Sequence, residues 1–330
     1  MAVALRVLLT GLIAALILPG FWNLASAWVF NADLREASNF APVGIIAFNL
    51  PEGRSTGTAF LVGECAVMTN FHVVFGPWYL TALRPPSNAS RGTFTLTQVT
   101  LANGEHPSTG AIPVIWGDYT GPDRQFRKPA NDWVVLALEE CLGNRHGYLQ
   151  PYDAALNDDL PTSGGFAAIG YSAGRQMVDS SCSIRLGGDS GTGATMFNDC
   201  ATLPGDSGAP IVRRGTGRVV AMVASFHAGL SSISCNSIHG VVHEQWNSQC
   251  TNAAIPLSLP LNDRIEEVRY AIEAQNLLLR LGYDAGPYGV IDQPLLAKAI
   301  KQVQLEAGMV PSGEVSCSLI NILKIRTSGI

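Results

Sequence analysis

The stretch Cys200–Val212, CATLPGDSGAPIV, places a serine between two turn residues and then runs directly into an apolar strand. The same tetrapeptide, Gly-Asp-Ser-Gly, also occurs at 188–191, but there the residues after Ser190 read GTGATMFND, which is richer in glycine and has no strand pattern. A reacting side chain must be held within about 0.5 Å of its productive position, which a rigid element does better than a loop. The sequence therefore predicts Ser207, rather than Ser190, as a nucleophile.

A serine hydroxyl is a weak nucleophile unless a neighbouring base takes its proton. His72 is the best candidate for this base, because it follows an apolar strand in AVMTNFHVVFG. His106 and His146 lie in polar, turn-rich segments and are interpreted as solvated. The pair His239 and His243, in HGVVH, lacks the glutamate of an HExxH metal site and has a poor helix former at its centre, so no metal site is predicted.

The base in turn needs a carboxylate that orients the imidazole and stabilises its protonated form. Asp132 stands at the start of a strongly apolar strand, DWVVLAL, and is the natural candidate. Four other aspartates lie in loop-like stretches with no strand behind them: Asp118, Asp123, Asp158 and Asp159.

Apolar residues between about 43 and 245 occur in short runs bounded by Gly, Pro, Asn and Ser, such as VGIIAFNL and RVVAMVASF. Runs of this kind predict strands, and many of them without intervening helices predict a β barrel or sandwich. After residue 250 the pattern changes. Residues 251–263 look like a linker with two prolines, and helical spacing of apolar residues begins at 264.

Composition excludes several classes of function. Only 14% of the 330 residues are charged and the formal net charge is −5, so a nucleic-acid partner is not expected. Residues 1–27 combine an early arginine, a short apolar run and an Ala-Ser-Ala site, which predicts a signal peptide, with a retained membrane anchor as the alternative. No other segment is long and apolar enough to span a bilayer.

Seven cysteines in an exported chain suggest disulfide bonds, and no CxxC pair points to a zinc or redox centre. Short loops favour the pairs Cys182–Cys200 and Cys235–Cys250, and Cys65–Cys141 is a third candidate. Cys317 is then left over. Because connectivity cannot be deduced from sequence, other pairings stay open.

Three blocks, GTAFLVGECAVMTNFHVV, NDWVVLAL and CATLPGDSGAPIV, occur in the order His, Asp, Ser and resemble the catalytic blocks of the trypsin-like (chymotrypsin-fold) serine peptidases. The resemblance covers roughly residues 43–245. It implies a mainly β fold of two six-stranded antiparallel barrels with the active site between them. It also implies His72 as general base, Asp132 as its orienting partner, Ser207 as nucleophile, and the N–H groups of Gly205 and Ser207 as the oxyanion hole.

The resemblance also implies residues that bind substrate. Ala201 would lie at the base of the primary pocket, so a preference for Lys or Arg has no obvious carboxylate. Thr202 and His227 are features of glutamate-specific relatives, although His227 is equally readable as an ordinary loop histidine. Ser225, Phe226 and His227 would form the strand edge that pairs with the substrate backbone. The sequence lacks an Ile-Val-Gly-Gly start and a cysteine after the histidine, and so looks more like the bacterial branch.

Residues 264–326 are similar to the peptidoglycan-binding-like three-helix module in their glutamine, leucine and glycine positions. Tyr288-Gly289 replaces its usual Asp-Gly turn, and Val303 stands where an aromatic is expected. The resemblance implies a cell-wall partner for residues 264–330. The alternative is a packing or protein-interaction appendage.

Taken together, the sequence predicts four segments: a signal peptide (1–27), a peptidase domain (28–250), a linker (251–263) and a small three-helix domain (264–330). We expect a monomeric, secreted or periplasmic serine endopeptidase that cleaves proteins or peptides and needs no cofactor or metal. One alternative is a catalytically silent homologue that holds cell wall or partner proteins. Another is hydrolysis of the peptide stem of peptidoglycan.

Overall fold

The computed structural model describes residues 40–51, 53–76, 91–117, 131–151, 165–172, 175–186, 196–198, 200, 202, 204–214, 216–225, 252–257, 259–291 and 293–329. The predicted signal peptide and the predicted pair Cys235–Cys250 lie outside these residues. Within the described ranges, no helix has the length and hydropathy needed to cross a membrane.

The first half of the chain is a closed antiparallel barrel of six strands, in the order β1-β2-β3-β6-β5-β4. Pairing of β1 with both β2 and β4 closes it. Its strands are β1 (Val43–Leu50), β2 (Gly53–Leu61), β3 (Ala66–Thr69), β4 (Gly92–Thr95), β5 (Ser108–Trp116) and β6 (Val134–Leu138).

The strand β6 explains why VVLAL is apolar at every position. Its Val134, Leu136 and Leu138 belong to one buried cluster, together with Phe48 and Phe94. The intervening Val135 and Ala137 face a different cluster on the other side of the strand. Since side chains alternate between the two faces of a strand, a strand covered on both faces must be apolar throughout.

Residues 166–256 contribute a sheet of seven strands within the described residues, in the order β8-β7-β11-β12-β13-β10-β9. The predicted mainly β class is confirmed, with one closed six-stranded barrel, a second sheet and a helical region after it. The strands of this sheet are β7 (Phe166–Ser172), β8 (Arg175–Cys182), β9 (Ile184–Leu186), β10 (Met196–Asn198), β11 (Pro210–Arg213), β12 (Arg218–Ser225) and β13 (Asn252–Pro256).

The strand β13 lies where the sequence predicts a linker over 251–263. Residues Asn252–Pro256 pair with both β12 and β10, so they are an internal part of the sheet. A helix then begins at Leu259. Five residues that end in a proline are too short to show a period, which is why this strand resembles a linker in the sequence.

Five helices accompany the sheets in the described part of the chain. They are α1 (Phe71–Phe75), α2 (Gly143–His146), α3 (Leu259–Arg280), α4 (Gln293–Glu306) and α5 (Cys317–Ser328). The last three agree with the helical segments predicted from residue 264 onward. The short α1 interrupts a stretch, CAVMTNFHVV, that reads as a strand in the sequence.

The helix α3 belongs to two cores. Its first half buries Leu261, Ile265, Val268 and Ile272 in the cluster that also contains Val135 of the barrel. Its second half supplies residues to a separate cluster that it shares with α4 and α5, including Leu277, Leu278, Leu296, Ile300, Leu319 and Leu323. One continuous helix therefore connects the barrel to the helical region.

Polar contacts add to this connection. The Lys324 ammonium lies 2.7 Å from a carboxylate oxygen of Glu64, in the β2–β3 connection, and 2.7 Å from one of Glu273 on α3. The Tyr288 hydroxyl donates to the carbonyl of Leu138 at the end of β6. The helical region is thus packed against the ends of β2 and β6.

Two of the three proposed disulfides are present. Cys65 pairs with Cys141, which joins the start of β3 to the residues after β6, and Cys182 pairs with Cys200. Both predictions are confirmed. Cys317 is exposed and forms no disulfide within the described part of the chain.

Gln275 organises the loop between α3 and α4. Its side chain is fully buried, and its amide nitrogen lies 3.0, 3.2 and 2.8 Å from the carbonyl oxygens of Ala285, Pro287 and Val290. Because the amide has two N–H bonds, one of them is shared between two of these carbonyls. Its amide oxygen accepts the N–H of Gly289 at 3.2 Å. One side chain thus satisfies four main-chain groups of a loop that lacks regular structure.

We expect Gln275→Leu to destabilise the protein by about 3 kcal/mol, because buried main-chain groups would lose their partner while the side-chain volume is kept. Urea denaturation followed by circular dichroism measures the change in the free energy of unfolding. Gln302→Leu is the matched control, since Gln302 is exposed on α4 and should change stability little. Equal effects of the two substitutions would contradict this role for Gln275.

Candidate active site

His72 lies on α1, a single helical turn that follows directly after β3. Asn70, the residue before the helix, is extended, and Gly76 ends the helix with a positive φ of 83°. The Ser55 hydroxyl of β2 donates to the carbonyl of Val73 at 2.8 Å, which ties the helix to the barrel wall. A helix this short gains little stability from its own hydrogen bonds, so these tertiary contacts determine where it lies.

His72 and Asp132 contact each other through two hydrogen bonds. The His72 Nδ1 lies 2.7 Å from Asp132 Oδ2, and the His72 backbone N–H donates to Oδ1 at 3.0 Å. The Asn70 side-chain amide donates to the Asp132 carbonyl oxygen at 2.8 Å. Because an ionised carboxylate can only accept a hydrogen bond, the proton of the neutral imidazole lies on Nδ1. The lone pair of Nε2 is then free to accept a proton.

Burial differs between the two side chains: that of His72 is 29% exposed and that of Asp132 only 5%. Burial by itself lowers the pKa of His72, because it disfavours the charged imidazolium. The charge of Asp132 and its hydrogen bond to the ring outweigh this effect, so the pKa of His72 is raised above its ordinary value. The imidazole is therefore a stronger base than a free histidine.

Ser207 lies in a tight turn that requires glycine on both sides. Gly205 has a φ of 106° and Gly208 a φ of 88°, values that L side chains rarely adopt. A Cβ on Gly208 would come within 2.1 Å of the Thr58 carbonyl oxygen, so the turn packs directly on β2. The Gly208 N–H donates to Val223 of β12 at 3.0 Å, which fixes the other side of the turn.

Gly57 is the point at which the histidine helix and the serine turn meet. A Cβ built on Gly57 would lie 2.7 Å from Cγ2 of Val73 and 2.9 Å from the carbonyl oxygen of Ser207. Both segments therefore pack against the same residue of β2. The fold thus brings His72 into contact with Asp132, 60 positions further along the chain, and packs the serine turn against the residue of β2 that also contacts Val73 of the histidine helix.

The family model described as the trypsin-like peptidase domain matches residues 57–222, which is half of the chain and includes His72, Asp132 and Ser207. The chain belongs to the trypsin-like peptidase family. It is a serine-type endopeptidase, a hydrolase of peptide bonds. The expected family resemblance and enzyme class are confirmed, and no curated protein sequence gives a significant match to this peptidase.

Solved structures similar to the peptidase are distant in sequence. A Glu endopeptidase in complex with MPD is 14% identical, with 68% of this chain and 89% of that chain covered and a TM-score of 0.48. Protease Anisep from Arthrobacter nicotinovorans is 13% identical, with 69% and 95% covered and a TM-score of 0.48. The active form of the Rv3671c protease from M. tuberculosis is 19% identical, with 68% and 80% covered and a TM-score of 0.42.

The predicted substrate-binding residues are only partly described. Thr202 is half-buried, and its hydroxyl oxygen is buried without a hydrogen-bond partner among the described residues. Ser225 is the last residue of β12, opposite Ala253 of β13. Ala201, Phe226 and His227 lie outside the described residues. The described ranges contain no cluster of three or more His, Cys, Asp or Glu that could hold a metal ion.

Sequence reasoning missed two residues that build the site. Asn70 is completely buried and its side chain holds the Asp132 main chain, and Thr58, on β2, is completely buried against the serine turn. Each is a polar residue next to a run of buried apolar residues, in MTNF and GTAF. A polar residue in such a run is costly to bury without a partner, which is the signal that could have found them.

Proposed function

We propose that the peptidase cleaves polypeptides through Ser207 as nucleophile, His72 as general base and Asp132 as the residue that orients His72. The observation that carries this proposal is the pair of hydrogen bonds from His72 to both oxygens of the buried Asp132 carboxylate. They hold the imidazole with its proton on Nδ1, which is the tautomer a general base needs. The packing of α1 and the serine turn on Gly57 supports the same assignment.

In the first half of the reaction, Ser207 Oγ bonds to the carbonyl carbon of the scissile peptide while its proton passes to His72 Nε2. The C–N bond then breaks, and the amine leaves with the proton from His72. In the second half, water gives a proton to His72 and attacks the acyl-enzyme, so that the carboxylic acid is released and Ser207 Oγ regains its proton. Asp132 stabilises the imidazolium that forms in each half without taking its proton.

The negative charge that develops on the substrate carbonyl oxygen needs donors that are already oriented. We assign this role to the backbone N–H groups of Gly205 and Ser207. Each such donor is worth about 3 kcal/mol in the transition state. The positive φ of Gly205 supports the assignment, since it turns the main chain at the residue that would supply the first donor.

Export is part of the proposal. Two disulfides, Cys65–Cys141 and Cys182–Cys200, support an oxidising compartment, and the sequence of residues 1–27 supports a signal peptide that directs the chain there. Peptidoglycan binding by residues 264–330 and a monomeric state stay predictions.

A fluorophosphonate probe tests the catalytic assignment directly. The serine oxygen forms a bond to phosphorus, fluoride leaves, and the base takes the serine proton, so labelling requires the same activation as peptide cleavage. We expect one stable adduct on Ser207, located by fragmentation of the labelled peptide in a mass spectrometer after digestion. An adduct confined to Ser190 would contradict the assignment.

The raised pKa of His72 predicts the pH dependence of the reaction. Only neutral His72 can accept the serine proton, so kcat/KM should fall as the pH falls through the pKa of His72. Because Asp132 raises that pKa above the ordinary value, the loss should be centred at a pH above about 6.5. Initial rates on a fluorogenic peptide between pH 5 and pH 9, roughly the range in which histidine titrates, measure it. A midpoint well below the ordinary value would contradict the electrostatic role of Asp132.

A further inference from the structure

Thr58 is a fully buried polar residue between the barrel and the second sheet. Its hydroxyl donates to the carbonyl oxygen of Gly205 at 2.9 Å and accepts the backbone N–H of Tyr171, on β7, at 2.8 Å. Because the Tyr171 N–H can only donate, it occupies a lone pair of the hydroxyl and leaves the hydroxyl proton for Gly205. The direction of this hydrogen bond is therefore determined by the second sheet.

The main chain of Thr58 makes two further hydrogen bonds. Its N–H donates to the carbonyl oxygen of Ser207 at 2.8 Å, and its carbonyl accepts the hydroxyl of Thr69 at 2.7 Å. Thr69 is the last residue of β3, three positions before His72. One residue of β2 is thus bonded both to the serine turn and to the strand that leads into the histidine helix.

Gly205 and Ser207 are the two residues whose N–H groups we assign to the oxyanion. The carbonyl oxygens of the same two residues are both bonded to Thr58, one by its hydroxyl and the other by its N–H. Gly205 has no side chain and a positive φ, so it has little else to restrain its rotation. The Gly205 carbonyl belongs to the peptide unit between Gly205 and Asp206, which lies between the two assigned N–H groups. Fixing this peptide unit therefore limits the rotation of the main chain that carries both groups.

We propose that Thr58 is a positioning residue for peptide hydrolysis: its buried hydroxyl holds the Gly205 carbonyl, and thereby keeps the N–H groups of Gly205 and Ser207 aimed at the oxyanion. This inference rests on the proposed function. Thr58 does not touch the substrate, so its loss should weaken stabilisation of the transition state more than binding of the substrate. Preorganised donors act only in their correct orientation, which is why a distant anchor can affect the rate.

The test is Thr58→Val, which keeps the shape of the side chain and removes its hydroxyl. We expect kcat to fall about thirtyfold, less than the loss typical of removing one oxyanion donor, because the bond from the Thr58 N–H to Ser207 is kept. KM on the best peptide from a substrate library should stay within about twofold, since ground-state binding is unchanged. The affinity for a peptide aldehyde, which forms a tetrahedral adduct with the serine, should fall in parallel with kcat.

Three further variants separate positioning from folding. Thr58→Ser keeps the hydroxyl and should restore most of kcat and of the aldehyde affinity, although it removes a buried methyl group. Thr56→Val is the matched control, because Thr56 is exposed on the same strand and its substitution should leave both values unchanged. If Thr58→Val does not fold, Thr58→Cys replaces the hydroxyl by a weak donor of similar size, and a folded Cys variant should still show reduced kcat with unchanged KM.

The outcomes distinguish this inference from the proposed function. Full kcat and full aldehyde affinity in a folded Thr58→Val or Thr58→Cys variant would overturn the role of Thr58 while leaving the assignment of Ser207 intact. Equal losses in Thr58→Val and Thr58→Ser would also overturn it, because the methyl group rather than the hydroxyl would then matter. Labelling and hydrolysis that survive loss of the Ser207 hydroxyl would instead contradict the proposed function itself.

Discussion

Ser207→Ala is expected to lower kcat by about a millionfold, as removal of a nucleophile does in serine peptidases with a triad, and to abolish labelling by a fluorophosphonate. The loss is large because Ser207 lies on the turn that β2 and β12 hold in place, and the reaction needs a hydroxyl at that position. Hydrolysis of a fluorescent protein substrate such as labelled casein measures the loss. A peptide substrate then divides it between kcat and KM.

Ser190→Ala is the matched control for this experiment, because it removes a hydroxyl from the same tetrapeptide, Gly-Asp-Ser-Gly. It should leave both labelling and hydrolysis unchanged. Equal losses in the two variants, with both folded, would mean that Ser207 does not act alone as the nucleophile. Loss only in Ser190→Ala would reverse the assignment.

Asp132→Asn should lower kcat by about ten-thousandfold, because an amide in place of the carboxylate favours the wrong tautomer of the imidazole. The substitution keeps the size of the side chain, so the packing around α1 should be preserved. It also removes the charge that raises the pKa of His72 and leaves the burial that lowers it. The acidic limb of the pH–rate profile should therefore move to lower pH, and the residual kcat/KM measured across pH tests this.

Asp263→Asn provides the comparison for that profile. Asp263 is exposed on α3, so its substitution changes the net charge by the same amount without touching His72. It should leave kcat and the midpoint of the acidic limb where they are in the unmodified peptidase. A shift of the same size in both variants would mean that net charge, rather than contact with His72, determines the midpoint.

Much of the site could be predicted from the sequence because its parts are local. The serine turn needs glycine at two positions with positive φ, and GDSG followed by a strand carries that requirement in adjacent residues. Asp132 stands just before a strand that is apolar on both faces. A carboxylate is costly to bury in such surroundings without a partner, so its presence there indicates a function. The short helix α1 could not be predicted, because one turn of FHVVF has the composition of a strand.

Contacts between residues that are distant in the sequence could not be predicted from local sequence patterns. Thr58 and Gly205 are 147 positions apart, and nothing in either segment indicates that they meet. The sequence of strand β13 predicts a linker, because its pairing with β12 and β10 is a property of the sheet and not of its own five residues. The salt bridge between Lys324 and Glu64 likewise depends on how the helices dock.

Because α3 contributes side chains to two hydrophobic cores, the peptidase domain cannot be separated from the C-terminal helices by cutting before α3. A fragment ending before Leu259 would leave Trp133, the neighbour of Asp132, without the cover of Arg264, whose guanidinium lies 5.9 Å from its ring centroid. It would also lose four buried aliphatic side chains, each worth roughly 1.5–3 kcal/mol, a sum comparable to the whole stability of a typical domain. The first half of α3 therefore belongs to the folded core of the protease. A minimal active fragment would have to include it.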